Sequence, residues 1–165
     1  MSAALEKLRP CLGYFGVVTR WILGTLFIWM GLKKALHPDN FLILVDQYQM
    51  VTTPFLLNTI AATLPWFETF CGILLLSGIA VRGTAVMLVV MLVPFTLLVL
   101  KRALAIASEK GQPFCLVKFD CGCGAGEVFI CHKLLENGIL ILLAFWLIAG
   151  AGRKLSLRYG LFATD

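Results

Sequence analysis

The sequence predicts an all-α integral membrane protein, a four-helix bundle with up-down-up-down topology. Three observations support this prediction. Of the 165 residues, 60% are hydrophobic and only 14% are charged, against about 25% charged in soluble domains. The mean hydropathy is +0.92, and apolar stretches of membrane-spanning length recur along the chain with short connections. We therefore expect residues 1–165 to form a single membrane domain.

The first predicted span covers residues 14–36 and is expected to remain as a helix. No small-x-small cleavage site follows it, so it does not resemble a secretory signal peptide. His37-Pro38-Asp39 ends this span. The next stretch, Phe41 to Gln49, is too short and too polar to cross the membrane. It is typical of a short interfacial helix between spans one and two.

The other three spans are predicted at residues 54–80, 83–107 and 131–151. Thr53-Pro54 supplies an N-cap and a first-turn proline for the second span. The turn before the third span is so short that spans two and three must be antiparallel neighbours. Between spans three and four, residues 108–130 form the longest polar connection, and this connection is rich in cysteine.

The basic residues do not fix the orientation. They divide seven to seven between the two sides of the predicted bundle, and those near helix ends can extend towards the lipid headgroups. The net charge of +5 is spread over helix ends, as contact with membrane lipid requires. Binding of nucleic acid is therefore excluded.

Four cysteines lie within 17 residues: Cys115, Cys121, Cys123 and Cys131. The glycine in Cys121-Gly122-Cys123 allows a backbone tight enough to bring two sulfurs together. Thiolates are the nucleophiles of disulfide exchange, and Cys131 lies close to a helix N-terminus, which favours its thiolate. The cluster predicts a dithiol relay in which one pair exchanges with an external partner and the other passes electrons into the membrane.

Two alternatives to the relay remain. The four thiolates of Cys115, Cys121, Cys123 and Cys131 could bind or transport a soft metal such as Cu(I) or zinc, although their spacing differs from zinc knuckles. The second alternative is a structural subunit of a larger complex, in which the loop cysteines form an inert disulfide. The chain contains no Cys-x-x-Cys-His, so c-type haem is not expected. Cys11 and Cys71 are assigned no role.

Glu68 is a carboxylic acid near the middle of the second span, where a charge is costly and functional by default. Pro65 and Pro94 each free a backbone carbonyl, so a polar notch is expected at this depth. Glu68 could carry protons or bind a quinone headgroup, with Trp66 as a second contact of the quinone. Alternatively it forms a structural ion pair with one of three cations: Lys33, Lys34 or Arg82.

His132, Lys133 and Glu136 follow Cys131 at the start of the fourth span. Because Glu136 is four residues after His132 and three after Lys133, it can pair with either on one helix face. An interfacial ion pair is the commoner function of such a pattern, and acid–base chemistry is the alternative.

Several motifs together resemble one known superfamily. The first span contains Arg20 and ends in Gly31-x-Lys33-Lys34, and the second contains Pro65-x-x-Glu68-x-x-x-Gly72. Cys121-Gly122-Cys123-Gly124 then precedes a helix with Leu135-Glu136-Asn137. From about residue 14 to 150 the chain resembles the DoxX-like superfamily, and most of all its MauE/DoxX branch of redox-associated membrane proteins.

This resemblance implies a bundle in the bacterial cytoplasmic membrane, with both termini cytoplasmic and the cysteine loop outside. MauE is associated with maturation of methylamine dehydrogenase beside a thioredoxin-like protein, and related DoxD-type subunits with thiosulfate oxidation coupled to quinone. By resemblance, Cys121 and Cys123 are the redox pair and Glu68 is the intramembrane acid. The extra thiols of Cys115 and Cys131 depart from the family pattern and favour either a second stage of transfer or a metal site.

The expected function is that of a thiol-disulfide oxidoreductase of the membrane. Its expected partner is a thioredoxin-like or rhodanese-like redox protein, and quinone is the cofactor considered. Association into a homo-oligomer or a larger membrane complex is a further expectation.

Overall fold

The computed structural model describes residues 2–48, 53–122, 126–151 and 155–157. In these ranges the chain forms five α-helices: α1 (Ser2–Leu36), α2 (Pro38–Gln47), α3 (Pro54–Ser77), α4 (Val81–Lys110) and α5 (Ile130–Trp146). A 3-10 turn at Phe114–Leu116 follows α4, and a π turn at Leu147–Ala151 extends α5. Two short strands, β1 (Lys118–Asp120) and β2 (Glu127–Phe129), lie between the 3-10 turn and α5.

Four of these helices are long and apolar enough to cross a membrane: Gly13–Leu36, Pro54–Ser77, Val81–Lys110 and Ile130–Gly150. The predicted all-α bundle with four spans is thereby confirmed. The second span is three residues shorter than predicted, because Gly78 adopts a left-handed conformation (φ 74°) and caps α3. Ala80 then leads directly into α4, so α3 and α4 are antiparallel neighbours.

The helix between the first two spans begins earlier than predicted. Pro38 occupies the first turn of α2, where its missing N–H costs nothing. Phe41 is the buried residue of α2 and turns its ring towards the bundle. The predicted end of this segment, at Gln49, lies outside the described residues.

The cysteine loop contains a hairpin that the sequence analysis did not predict. β1 and β2 pair antiparallel, with Lys118 opposite Phe129 and Asp120 opposite Glu127. The backbone N–H of Ile130 donates to the carbonyl of Val117 and extends this pairing to the start of α5. The hairpin therefore fixes the loop directly against the end of the bundle.

α1 and α3 touch through their backbones, because glycine lies on both sides of the contact. A Cβ at Gly24 would lie 2.9 Å from the carbonyl oxygen of Gly72, and one at Gly72 would lie 2.6 Å from that of Gly24. A Cβ at Gly31 would collide with Thr69. Small residues at such positions let membrane helices approach closely.

The rest of the bundle is built from a second pair of helices. α4 packs mainly on α5, whereas the contact between α3 and α4 is much smaller than that between α1 and α3. Leu23, Phe27, Leu75, Leu88 and Leu140 form part of the shared core. The bundle is thus two helix pairs, with a gap between them towards the end that carries α2 and the loop.

Candidate functional site

A cavity of about 360 Å³ occupies the gap between the two helix pairs. Its walls come from α1, α3, α4 and α5, and α2 and the loop residues Cys121 and Gly122 close its end. The lining is mostly aliphatic and aromatic. Pockets for small ligands span about 300–1,000 Å³, so this volume suits one ring-sized group.

The polar part of the cavity begins with an ion pair between Lys34 and Glu68. The Nζ of Lys34 donates to both carboxylate oxygens of Glu68 at 2.7 Å, and the two side chains are only 8% and 10% exposed. A buried charge is tolerated where it is paired and hydrogen-bonded. Glu68 therefore has the cationic partner that the structural interpretation required, and the pair also lines the cavity.

The other two cations considered for Glu68 lie elsewhere. Lys33 stacks over the ring of Trp29, with its Nζ 4.5 Å from the ring centroid. Arg82 donates to the carbonyl oxygen of Ile148 at 2.9 Å. Trp66, the second predicted quinone contact, is 62% exposed on the outer face of α3. It is not among the residues that line the cavity.

A second buried cation, Lys133, reaches the cavity from α5. It is 2% exposed, and its Nζ donates to Glu136 at 3.0 Å. The predicted pairing of Glu136 with a residue one turn earlier is thus found with Lys133. The burial of Lys133 was not predicted, although its position inside a membrane-length helix is a signal for it.

Asn137 adds a polar group one turn further along α5, and the sequence analysis did not single it out as a site residue. It is 1% exposed, and its amide donates to Oγ1 of Thr96 at 3.1 Å. Thr96 in turn donates to the carbonyl of Leu92 at 2.7 Å, beside Pro94. Pro94, Asn137 and Leu92 all line the cavity. The predicted polar notch therefore has a counterpart on α4 and α5, whereas Pro65 is not a lining residue.

Cys121 reaches the cavity from the loop and is completely buried. Its carbonyl oxygen accepts a hydrogen bond of 3.0 Å from the hydroxyl of Tyr48, which follows α2. The next residue, Gly122, has φ 77°, a conformation that favours glycine. The Gly122 N–H donates to Oδ1 of Asp120 at 2.9 Å. These contacts fix Cys121 between the hairpin and the end of the cavity.

Cys115 and Cys131 form a disulfide, with their Cα atoms 5.0 Å apart. It joins the 3-10 turn after α4 to the first turn of α5. Cys115 is exposed and Cys131 is partly buried. The loop thus holds a disulfide with one exposed cysteine, and a separate buried cysteine that lines the cavity.

The described residues include only some of the other cysteines for which a role was predicted. Cys123, the other half of the predicted redox pair, lies outside the described residues. Within the described ranges, no group of three or more His, Cys, Asp or Glu side chains is arranged to hold a metal. The four-thiolate alternative requires Cys123 and remains an expectation. Cys71 is buried in the apolar core, as expected for a cysteine without a role.

Comparison with known proteins places the chain in one family. The family model described as methylamine utilisation protein MauE matches residues 12–150. This range covers all four candidate spans, α2 and the cysteine loop. No curated protein and no solved structure matches the chain.

Proposed function

Since the chain belongs to the MauE family, we propose that it is a membrane thiol-disulfide redox protein. It passes electrons between a thioredoxin-like or rhodanese-like protein outside the cytoplasm and a quinone in the membrane. The proposal places the protein in the bacterial cytoplasmic membrane, with both termini cytoplasmic and the cysteine loop outside. One observation carries it: the same loop holds an exposed disulfide and a buried cysteine that faces an apolar cavity.

The exposed disulfide supports exchange with a protein partner. Disulfide exchange requires access of an attacking thiolate to one sulfur along the S–S axis. Cys115 is the exposed member, so a thiolate of the partner attacks its sulfur and Cys131 leaves. Cys131 is the second residue of α5, where unpaired helix N–H groups favour a thiolate. A second partner thiol then releases the partner as a disulfide and leaves Cys115 and Cys131 reduced.

The second stage moves these electrons to Cys121 and Cys123. The thiolate of Cys131 attacks a disulfide between Cys121 and Cys123, and Cys115 resolves the mixed disulfide. The Cys115–Cys131 bond forms again, and Cys121 and Cys123 become thiols. Two electrons and two protons pass from these thiols to quinone, which becomes quinol while the disulfide between Cys121 and Cys123 returns.

The cavity supports quinone as the acceptor in this scheme. Its walls are mostly apolar and its volume suits one ring. Lys133 and Lys34 contribute ammonium groups to the same cavity as Cys121, and each is paired with a carboxylate, Glu136 and Glu68 respectively. Fixed cations in a water-poor site stabilise negative charge that develops on an oxygen during reduction. These residues therefore orient the quinone oxygens and favour their reduction.

The proposal is tested with the purified full-length protein in detergent, by following reduction of a short-tailed benzoquinone with dithiothreitol as electron donor. We expect Cys121→Ser to lower the enzyme-dependent rate at least 100-fold. The matched control Cys71→Ala alters a buried cysteine that does not line the cavity and should keep the rate within twofold. Wild-type turnover by Cys121→Ser would contradict the proposal.

Mass-tagged maleimide labelling separates the redox function from its two alternatives. In membranes prepared without reductant, we expect Cys115 and Cys131 to label only after reduction. Stoichiometric metal that is lost in Cys123→Ser would instead support the soft-metal site. Serine variants that reduce assembly of a larger complex, yet leave the activity of each complex unchanged, would support a structural subunit.

A further inference from the structure

The exposed lining residues indicate where the cavity opens to the outer surface of the bundle. Among the described residues that line it, only Val90 and Pro94 are exposed, and they lie one turn apart on α4. Val90 is 60% exposed. Leu64, half-buried on α3, lines the opposite side. This opening lies in the gap where α3 and α4 make little contact.

The polar lining residues of the cavity are buried, whereas the exposed ones at this opening are apolar. The buried residues that contribute polar groups are Lys34, Glu68, Lys133, Asn137 and Cys121. Leu64, Val90 and Pro94 at the opening offer only apolar side chains. A ligand that matches this arrangement has a polar ring and a long apolar substituent.

The size of the cavity supports the same conclusion. About 360 Å³ is near the lower limit for a small-molecule pocket, and a chain of several isoprene units cannot also be enclosed. An apolar tail left outside the bundle must lie in the hydrocarbon layer, since exposure to water is unfavourable. Among the described lining residues, the exposed ones, Val90 and Pro94, mark the side from which such a tail can reach lipid.

We propose that the opening formed by Leu64, Val90 and Pro94 is the lateral entrance for a quinone with an isoprenoid tail. The ring enters the cavity from the bilayer, and the tail remains between α3 and α4. This inference rests on the proposed quinone-linked function. It adds that the physiological substrate is the long-tailed, lipid-dissolved form and that Val90 controls its entry.

A tryptophan at position 90 provides a steric test. Val90→Trp should narrow the opening, while its extra surface is tolerated because position 90 already faces lipid. Val86→Trp is the matched control: Val86 is one turn earlier on α4, is 42% exposed and does not line the cavity. Both variants and the wild type are reconstituted in lipid nanodiscs and supplied with dithiothreitol. Their KM values are measured for a tailless benzoquinone and for one with eight isoprene units.

We expect Val90→Trp to raise KM for the long-tailed quinone at least tenfold, because the tail stays in the opening, and to raise KM for the tailless quinone by a clearly smaller factor, because only its ring passes through. Val86→Trp should change neither. Equal effects of Val90→Trp on both quinones, or no effect on either, would overturn the lateral entrance while leaving the redox function standing.

A binding measurement keeps the entrance testable if the wild type does not reduce quinone at all. A long-tailed quinone with a photoreactive group on its second isoprene unit is cross-linked to the protein in nanodiscs. Mass mapping should find labelling at Leu64 and Val90 that excess unlabelled quinone prevents. Such labelling without turnover would refute the redox function alone, and labelling that excess quinone does not reduce would refute the entrance.

Discussion

The ammonium of Lys34 lies 2.7 Å from both carboxylate oxygens of Glu68, and glycine contacts between α1 and α3 make this pairing possible. Lys34 follows Gly31 by three residues on α1, and Glu68 precedes Gly72 by four on α3. The Gly31 and Gly72 contacts bring the two backbones close enough for the side chains to meet. The ion pair therefore joins the packing of one helix pair to the wall of the cavity.

Glu68→Gln should destabilise the protein, because it leaves the Lys34 ammonium buried without its counter-charge. Removing one member of a buried ion pair costs about 3–5 kcal/mol, which should appear as a lower Tm in detergent. The double variant Lys34→Met/Glu68→Gln should recover most of this loss, since no buried charge remains.

Activity of the double variant separates a structural role of the ion pair from a role in the reaction. If the pair only locks α1 to α3, the double variant should recover quinone reduction together with its Tm. If Glu68 is the intramembrane acid or Lys34 orients the quinone, stability returns and turnover stays low. A Tm for Glu68→Gln equal to that of the wild type would contradict the ion pair itself.

Gly31→Leu should separate α1 from α3 and disrupt the cavity. Even a Cβ at position 31 would lie 2.6 Å from the carbonyl oxygen of Pro65, so a leucine forces the helices apart. We expect a loss of about 2 kcal/mol or more, in the range of overpacked cores, measured by thermal unfolding. Gly138→Leu is the control, because a Cβ there meets nothing within 4 Å. Equal losses for the two variants would contradict the close contact.

The spans were predictable from the sequence because membrane length and hydropathy depend on local composition. Thr53-Pro54 and the short connection after Ser77 marked their ends to within a few residues. The hairpin of β1 and β2 was missed, because three-residue strands have too few positions to show a periodic pattern. Its pairing depends on contact between segments on either side of Cys121.

The chemistry of the loop was predictable in kind, but its arrangement was not. Spacing alone did not show that Cys131 pairs with Cys115 across 16 residues. Likewise, the charge of Glu68 predicted a partner, whereas the choice of Lys34 over Lys33 depends on the rotation of α1. Asn137 and Lys133 became site residues only when α4 and α5 were seen to enclose the cavity.

Cys115 and Cys131 should differ in reactivity once their disulfide is absent. In Cys131→Ser the remaining thiol at position 115 is exposed, and in Cys115→Ser the thiol at position 131 is partly buried. A bulky polyethylene-glycol maleimide should therefore label Cys131→Ser through Cys115 at least tenfold faster than it labels Cys115→Ser through Cys131. Both measurements are made with the other loop cysteines replaced by alanine. Faster labelling of Cys131 would reverse the proposed order of attack by the partner.

Lys133→Gln should slow quinone reduction while the fold is retained. Glutamine keeps a hydrogen-bond donor at position 133. Glu136 is partly exposed, so its carboxylate can still be solvated by water or bind the glutamine amide. What is lost is the fixed positive charge in the cavity, and a single donor to developing negative charge contributes about 10²–10³ in rate where it acts directly. We expect kcat to fall at least tenfold with Tm within about 3 °C of the wild type, a shift of less than about 1 kcal/mol for a domain of this size.

Lys118→Gln is the control, because Lys118 stacks on Phe129 at the exposed hairpin, 4.0 Å from its ring centroid. An unchanged kcat for Lys133→Gln would remove Lys133 from the reaction and leave it as a structural partner of Glu136.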